Sequence, residues 1–380
     1  MTVQILSARG ALPPHRYPQE QITDAFVQSM VPGTDERLTR RFHGNAGVDY
    51  RHTAIPLEQY SELTDFGASN DIFIDVAVQL GSQAVLEALK AAGLEPRDLD
   101  VIISATVTGL AVPSLDARIA ANIGLRPDVV RMPLVGLGCV AGAAGVARLD
   151  DFLRGRPDAV GVLVAVELCS LTLQRTDRSL PNLVASGLFG DGAGAVVAAG
   201  SRRAAALADP ITREPVQPRI LATRSHLYPD SERTMGFDVR STGLQIVLDA
   251  NVPNVVREYL GDDVDAFLAD HGLTRADIGW YVAHPGGPKV LEAMQDTLGL
   301  EREALAVTWD SLARVGNMSS VSVLHVLMDT LADRPPKPDT YGLMIAMGPG
   351  FCSELVLLQA PGTAETPDSS ETADAAAAPA

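Results

Sequence analysis

The sequence predicts an α/β protein built from one unit used twice, and three observations carry that prediction. Amphipathic patterns at helical spacing (74–92, 252–260, 290–298) alternate with short runs rich in valine and isoleucine, such as Val101-Ile102-Ile103 and 160–166. Such runs, bounded by turn residues, read as strands buried on both faces. The landmarks also recur. Gly93-Leu94 leads through Asp98-Leu99 into Val101-Ile102-Ile103, and Gly272-Leu273 leads through Asp277-Ile278 into Trp280-Tyr281-Val282, an offset of 179 residues. Each half then closes with a glycine-bracketed turn before an apolar strand: Gly190-Asp191-Gly192 before 193–199, and Gly348-Pro349-Gly350 before 355–358. A recurrence of this kind is the mark of a duplicated unit. The halves are placed at 1–205 and 206–360, followed by a tail, 361–380, of Pro, Thr, Ser, Asp, Glu and Ala that carries no apolar periodicity and is expected to be disordered.

Composition narrows the function. A net charge of −17 with no basic run argues against nucleic acid as a partner. The longest uncharged apolar stretches, 134–147 and 159–166, are shorter than a membrane span needs, and the N-terminus shows no signal-peptide pattern. A cytoplasmic protein is expected. Cys139, Cys169 and Cys352 lie far apart with no CxxC pair, which suits neither a disulfide framework nor a zinc site.

Within each half one position stands out. Cys139 lies in Val135-Gly136-Leu137-Gly138-Cys139-Val140-Ala141-Gly142, where glycines permit a sharp turn and close approach of a substrate. A thiol at the start of a helix feels the positive end of its dipole, which favours thiolate. Cys169 and Cys352 lack that frame and read as small buried hydrophobes. The spacing GxGxxxG, with no acidic residue ending a following strand, argues against a dinucleotide site. His284 follows the strand 280–283 and heads Pro285-Gly286-Gly287-Pro288, where α/β proteins place site residues. Asn317, in Gly316-Asn317-Met318-Ser319-Ser320, begins an uncharged stretch offset by 178 residues from that of Cys139, so the two are expected at equivalent places in the two halves.

Gly-Leu-Gly-Cys-Val-Ala-Gly, His-Pro-Gly-Gly-Pro, Gly-Asn-Met-Ser-Ser, Gly-Asp-Gly-Ala and Gly-Pro-Gly-Phe, in this order over residues 1–360, resemble the hallmarks of the chalcone synthase or type III polyketide synthase family. The resemblance implies a thiolase-like duplicated fold in five layers, αβαβα, and a homodimer acting on coenzyme A thioesters without metal or redox cofactor. It implies Cys139 as nucleophile, paired with His284, and His284 with Asn317 as donors to the oxyanion formed when malonyl-CoA loses CO2. It also implies coenzyme A contacts around Arg41, in a segment where plant relatives have a lysine at the position of Asn45, with Lys289 a second candidate. Thr108, Cys169, Thr172 and Ser319 match positions lining the family's cavity. Ile246 stands where plant members have a phenylalanine gatekeeper, and stretches 112–119 and 167–172 resemble the bacterial branch that makes alkylpyrones and alkylresorcinols. A fatty acyl-CoA starter, extended by malonyl-CoA and cyclised, is therefore expected. The alternatives are a ketoacyl synthase III-like single condensation, against which Pro-Gly-Gly-Pro after His284 speaks, and a noncatalytic acyl-CoA-binding relative.

Overall fold

The computed structural model describes residues 2–63, 65–207 and 216–362. The tail expected from 361 lies, from 363 onward, outside the described residues. The strands are β1 Val3–Ala11, β2 His15–Pro18, β3 Tyr50–Thr53, β4 Val101–Thr106, β5 Val130–Val135, β6 Val160–Leu168, β7 Asp191–Ala199, β8 Arg219–Leu227, β9 Met235–Arg240, β10 Gly243–Leu248, β11 Ile278–Ala283, β12 Tyr341–Gly348 and β13 Cys352–Gln359.

Nine of these strands form one hydrogen-bonded sheet in the order β11-β12-β13-β8-β1-β7-β6-β4-β5. The duplication is written in that order. β4 runs parallel to β6, β6 antiparallel to β7 and β7 antiparallel to β1; β11, β12, β13 and β8 repeat the same sequence of directions. The half-sheets are joined through β1 and β8, where Val3 pairs with Ile220 and Gln4 with Arg219. The seam falls between equivalent strands, as an approximate twofold requires.

Three apolar clusters explain the layers. Helix Phe66–Ala91 packs Phe73, Ala77, Leu80, Ala84, Val85, Ala88 and Leu89 onto the outer face of the first half-sheet. Its length and hydropathy are those of a membrane span, although Asp71, Asp75 and Glu87 punctuate it; the buried stripe makes it a core helix. Helices Val252–Ala269 and Pro288–Leu298 cover the outer face of the second half-sheet. The middle cluster joins both inner faces to helices Ala141–Arg154 and Ser322–Asp333, whose apolar residues are buried on every side. Outer helices, half-sheet, central helices, half-sheet, outer helices: this is the expected five-layered αβαβα architecture. Burial of both central helices accounts for their lack of charge over 141–147 and 322–328.

Candidate active site

The central helices start beside each other. Each is preceded by a short 3-10 turn, Gly138–Val140 before Ala141–Arg154 and Ser319–Val321 before Ser322–Asp333. Contact is so close that a Cβ on Gly142 would meet the Ser320 carbonyl oxygen at 2.3 Å, and one on Gly138 would meet Pro349 at 2.6 Å. Gly138 also has φ +57°, so glycine is required there twice over. Cys139 is thereby held against the Gly348-Pro349-Gly350 turn that ends β12.

Cys139 is buried, and its Sγ lies 3.5 Å from Ser319 Oγ. The helix start was expected to favour thiolate. Instead burial pushes the thiol up to about 12, with the charge of nearby Glu167 adding to the effect and the Ser319 bond opposing it. Desolvation outweighs a dipole that acts only through the first turn.

His284 follows β11, its backbone N–H donating to Ile345 O at 2.8 Å. Three residues beyond Ile345, Gly348 lies beside Cys139, where a Cβ added to it would be 3.3 Å from the Cys139 Cβ, so histidine and thiol both lie toward the C-terminal end of β11 and β12. The expected sulfur–imidazole hydrogen bond is not formed; among the described residues the sulfur bonds to Ser319. Burial pushes His284 down to about 4. Its Nδ1 is buried without a partner, so a proton there would be a stranded donor, and the neutral ring carries its proton on Nε2.

Asn317 differs from the sequence expectation. It neither caps a helix nor occupies the counterpart of Cys139, because the second helix starts later and Ser320 takes the middle position of its turn. Asn317 is instead fixed by backbone: its N–H donates to Leu188 O and its carbonyl accepts from Gly190 N–H, both at 2.9 Å. Its Oδ1 accepts from Ser319 N–H at 2.8 Å, which leaves the amide NH2 as the free donor. Ser319 holds φ +49°, the conformation that lets this bond close.

A cavity of about 90 Å³ adjoins Cys139. Thr108, Cys169, Thr172, Ile246 and Ser319 line it, as expected from the sequence. Arg41 and Lys289 are exposed and outside its lining. Several residues were not foreseen. Glu167, fully buried, accepts from Thr108 Oγ1 (2.9 Å), Val107 N–H (3.0 Å) and Ser320 Oγ (2.5 Å), tying the first half-sheet to the second central helix. Arg51 donates through Nη1 to Phe189 O at 2.7 Å and so braces the segment that holds Asn317. Tyr60 and Ser170 also lie on the wall. Glu167 and Ser170 fall within the stretch 167–172 already noted for its resemblance, but no motif marked Arg51 or Tyr60.

Two family models match the chain: chalcone and stilbene synthases, N-terminal domain, over residues 2–202, and C-terminal domain, over residues 219–361. The chain belongs to the chalcone and stilbene synthase family. It is 51% identical over 356 residues to a 1,3,6,8-tetrahydroxynaphthalene synthase of Streptomyces peucetius subsp. caesius, covering 93% of this chain and 92% of the relative. It is 33% identical to a putative chalcone synthase of Bacillus subtilis, covering 93% and 97%. The solved structure of 1,3,6,8-tetrahydroxynaphthalene synthase from Streptomyces coelicolor A3(2), a bacterial type III polyketide synthase, superposes with a TM-score of 0.84 at 28% identity, over 94% of this chain and 99% of that one. As a type III polyketide synthase the protein is an acyltransferase acting by malonyl-CoA condensation.

Proposed function

We propose that this synthase uses malonyl-CoA as both starter and extender and closes a chain of five units to 1,3,6,8-tetrahydroxynaphthalene. The observation that carries this reading is the 51% identity, over nearly the whole of both chains, to a synthase of that product. Ten ring carbons with oxygen on alternate positions are what five two-carbon units supply. The wall agrees with it, because Arg51, Tyr60, Thr108, Ser170 and Ser186 distribute polar groups as a chain oxygenated at every second carbon requires.

Cys139 Sγ attacks the carbonyl carbon of the starter thioester, and the bond to coenzyme A sulfur breaks. The proton that Cys139 gives up leaves with coenzyme A as its thiol, so His284, lowered in basicity by burial, stays neutral. Malonyl-CoA next loses CO2, and negative charge develops on its thioester oxygen. His284 Nε2–H and the Asn317 amide donate to that oxygen. The carbanion attacks the Cys139 thioester, the acyl chain lengthens by two carbons, and the cycle repeats. No metal or redox group takes part. The proposal assigns the coenzyme A phosphates to Arg41 and Lys289, both of which are exposed.

The working form is a cytoplasmic homodimer. β5 is a free edge of the nine-stranded sheet and carries Val130 and Val135 exposed, and Val112, 96% exposed, stands on the loop before helix Leu115–Ile123. A second copy covers such an apolar edge. Light scattering of the purified protein at twice the chain mass supports this, and a monomer contradicts it.

A second reading has its own support. Ile22, Phe26, Met30, Leu57 and Leu173 line the cavity beside Ile246, an apolar wall that suits an alkyl starter and alkylpyrone or alkylresorcinol products. Mass spectrometry of products from malonyl-CoA alone and with a series of fatty acyl-CoAs separates the two. A tetrahydroxynaphthalene from malonyl-CoA alone supports the first reading. Products formed only when a fatty acyl-CoA is supplied overturn it.

A further inference from the structure

Condensation as derived above uses Cys139, His284 and Asn317 and leaves one chain of polar groups on the cavity wall without a task. Tyr60, in the 3-10 helix Leu57–Glu62, hydrogen-bonds through its hydroxyl to Ser170 Oγ, and Ser170 Oγ donates to Asp191 Oδ2. Tyr60 and Ser170 both line the cavity. Asp191, the first residue of β7, lies behind them, fully buried, and accepts two further hydrogen bonds, from Ala54 N–H at 2.6 Å and from Ser170 N–H at 2.8 Å. Hydroxyl, hydroxyl and carboxyl thus form a connected file from the cavity wall inward; Tyr60 also meets Thr53 and the Ile55 backbone, and the charge of Arg51, which lines the cavity too, faces Asp191.

Such a file has two settings. With Asp191 ionised, Ser170 gives its proton to the carboxylate, Tyr60 gives its own to Ser170, and the phenol turns a lone pair to the cavity. With Asp191 protonated, every donor reverses and the phenol offers its O–H to the cavity. Burial pushes Asp191 up to about 6, close enough to neutrality for both settings to be reached, while Tyr60 is raised and stays a phenol. Three buried hydroxyl and carboxyl groups arranged only for packing would not need to end at a substrate cavity.

We propose that Tyr60, Ser170 and Asp191 form a proton relay that serves carbon–carbon ring closure of the polyketide chain. The enol double bond of one unit attacks the ketone carbon of another, forming the C–C bond. The carbonyl π pair becomes an O–H bond with the proton that Tyr60 delivers. The enol hydroxyl, becoming a carbonyl, releases its proton to the Tyr60 oxygen, and the relay ends as it began. No oxidant or reductant is consumed, and the later loss of water is ordinary aromatisation. Tyr60 is the catalytic member because it meets the substrate; Ser170 and Asp191 act through it. Without the relay, the chain's own enol oxygen closes instead on a carbonyl, giving a pyrone.

The inference rests on the polyketide synthase reading but not on the starter: the wild-type product tests the starter, and the ratio of products in variants tests the relay. The experiment compares wild type, Tyr60→Phe, Ser170→Ala and Ser170→Thr with malonyl-CoA and whichever starter gives product with wild type, measuring carbocyclic and pyrone products per coenzyme A released, with thermal melting to establish that each is folded. The relay predicts that Tyr60→Phe and Ser170→Ala lower the carbocycle-to-pyrone ratio about tenfold, and that Ser170→Thr, which keeps the hydroxyl, restores it. An unchanged ratio in folded Tyr60→Phe and Ser170→Ala overturns the inference. So does an equal fall of both products with the ratio preserved, which marks the pair as shaping the cavity only.

Discussion

The two central helices arise from the same duplicated unit, yet their starts do different work. The first presents a thiol: Cys139 in the turn Gly138–Val140, with glycines wherever the other half comes close. The second presents polar groups: Ser319 bonds to the Cys139 sulfur, Ser320 bonds to Glu167, and Asn317, just before the turn, is pinned by Leu188 and Gly190. The cross-contacts are also unlike. The first helix meets the second half through Gly142, where backbone touches backbone. The second meets the first half through His325, whose Nε2 lies 2.9 Å from Ala193 O and whose ring fills the space a Gly10 side chain would take. Duplication therefore supplied two buried helix starts at one point, and divergence gave one a thiol and the other hydroxyl and amide groups, which the proposed mechanism uses as nucleophile and donors.

The largest test of that division is Cys139→Ala, which removes the proposed acyl carrier and should lower polyketide formation by about four orders of magnitude or more, measured as product from malonyl-CoA. The His325 contact is tested by acid. Burial lowers His325 to about 4, so its folded pKa lies below the unfolded value. The stability it contributes is fully present above the unfolded pKa of about 6.5 and is lost as pH falls through about 4, a swing of roughly 3 kcal/mol. His325→Phe removes this term. The stability difference between wild type and variant, read by urea unfolding, should shift against wild type between pH 7 and pH 4; a constant difference breaks the assignment. The smallest effect is expected at Gly142. An alanine there overpacks the helix contact and should cost about 1–3 kcal/mol, lowering the melting temperature, whereas Gly155→Ala, whose added Cβ meets nothing closer than 3.6 Å, should not.

Much of this was legible in the sequence, for identifiable reasons. Buried strands and uncharged helices leave a signature in composition, so the half-sheets and the duplication could be read from 101–103 and 160–166 and their echoes. Motifs framed by glycine and proline marked Cys139, His284 and Asn317, because a sharp turn constrains residue type locally. Pairings between distant residues leave no such mark. The contacts of Glu167 with Ser320, Arg51 with Phe189, and Tyr60 with Ser170 join residues 110 or more positions apart, and nothing in their neighbours announces them. The expected equivalence of Cys139 and Asn317 erred for a related reason: an offset counted along the chain cannot register the residues gained between repeat landmarks. The expected thiolate erred because burial of the site was underweighted against the dipole.

The central claim is that the first helix start holds the acyl chain while the second drives decarboxylation. Release of CO2 from malonyl-CoA, measured side by side in Cys139→Ala and Asn317→Ala, tests it most directly. The account predicts that Cys139→Ala still decarboxylates malonyl-CoA without condensing it, whereas Asn317→Ala loses decarboxylation by about 100-fold or more. Decarboxylation lost in Cys139→Ala but retained in Asn317→Ala would contradict it.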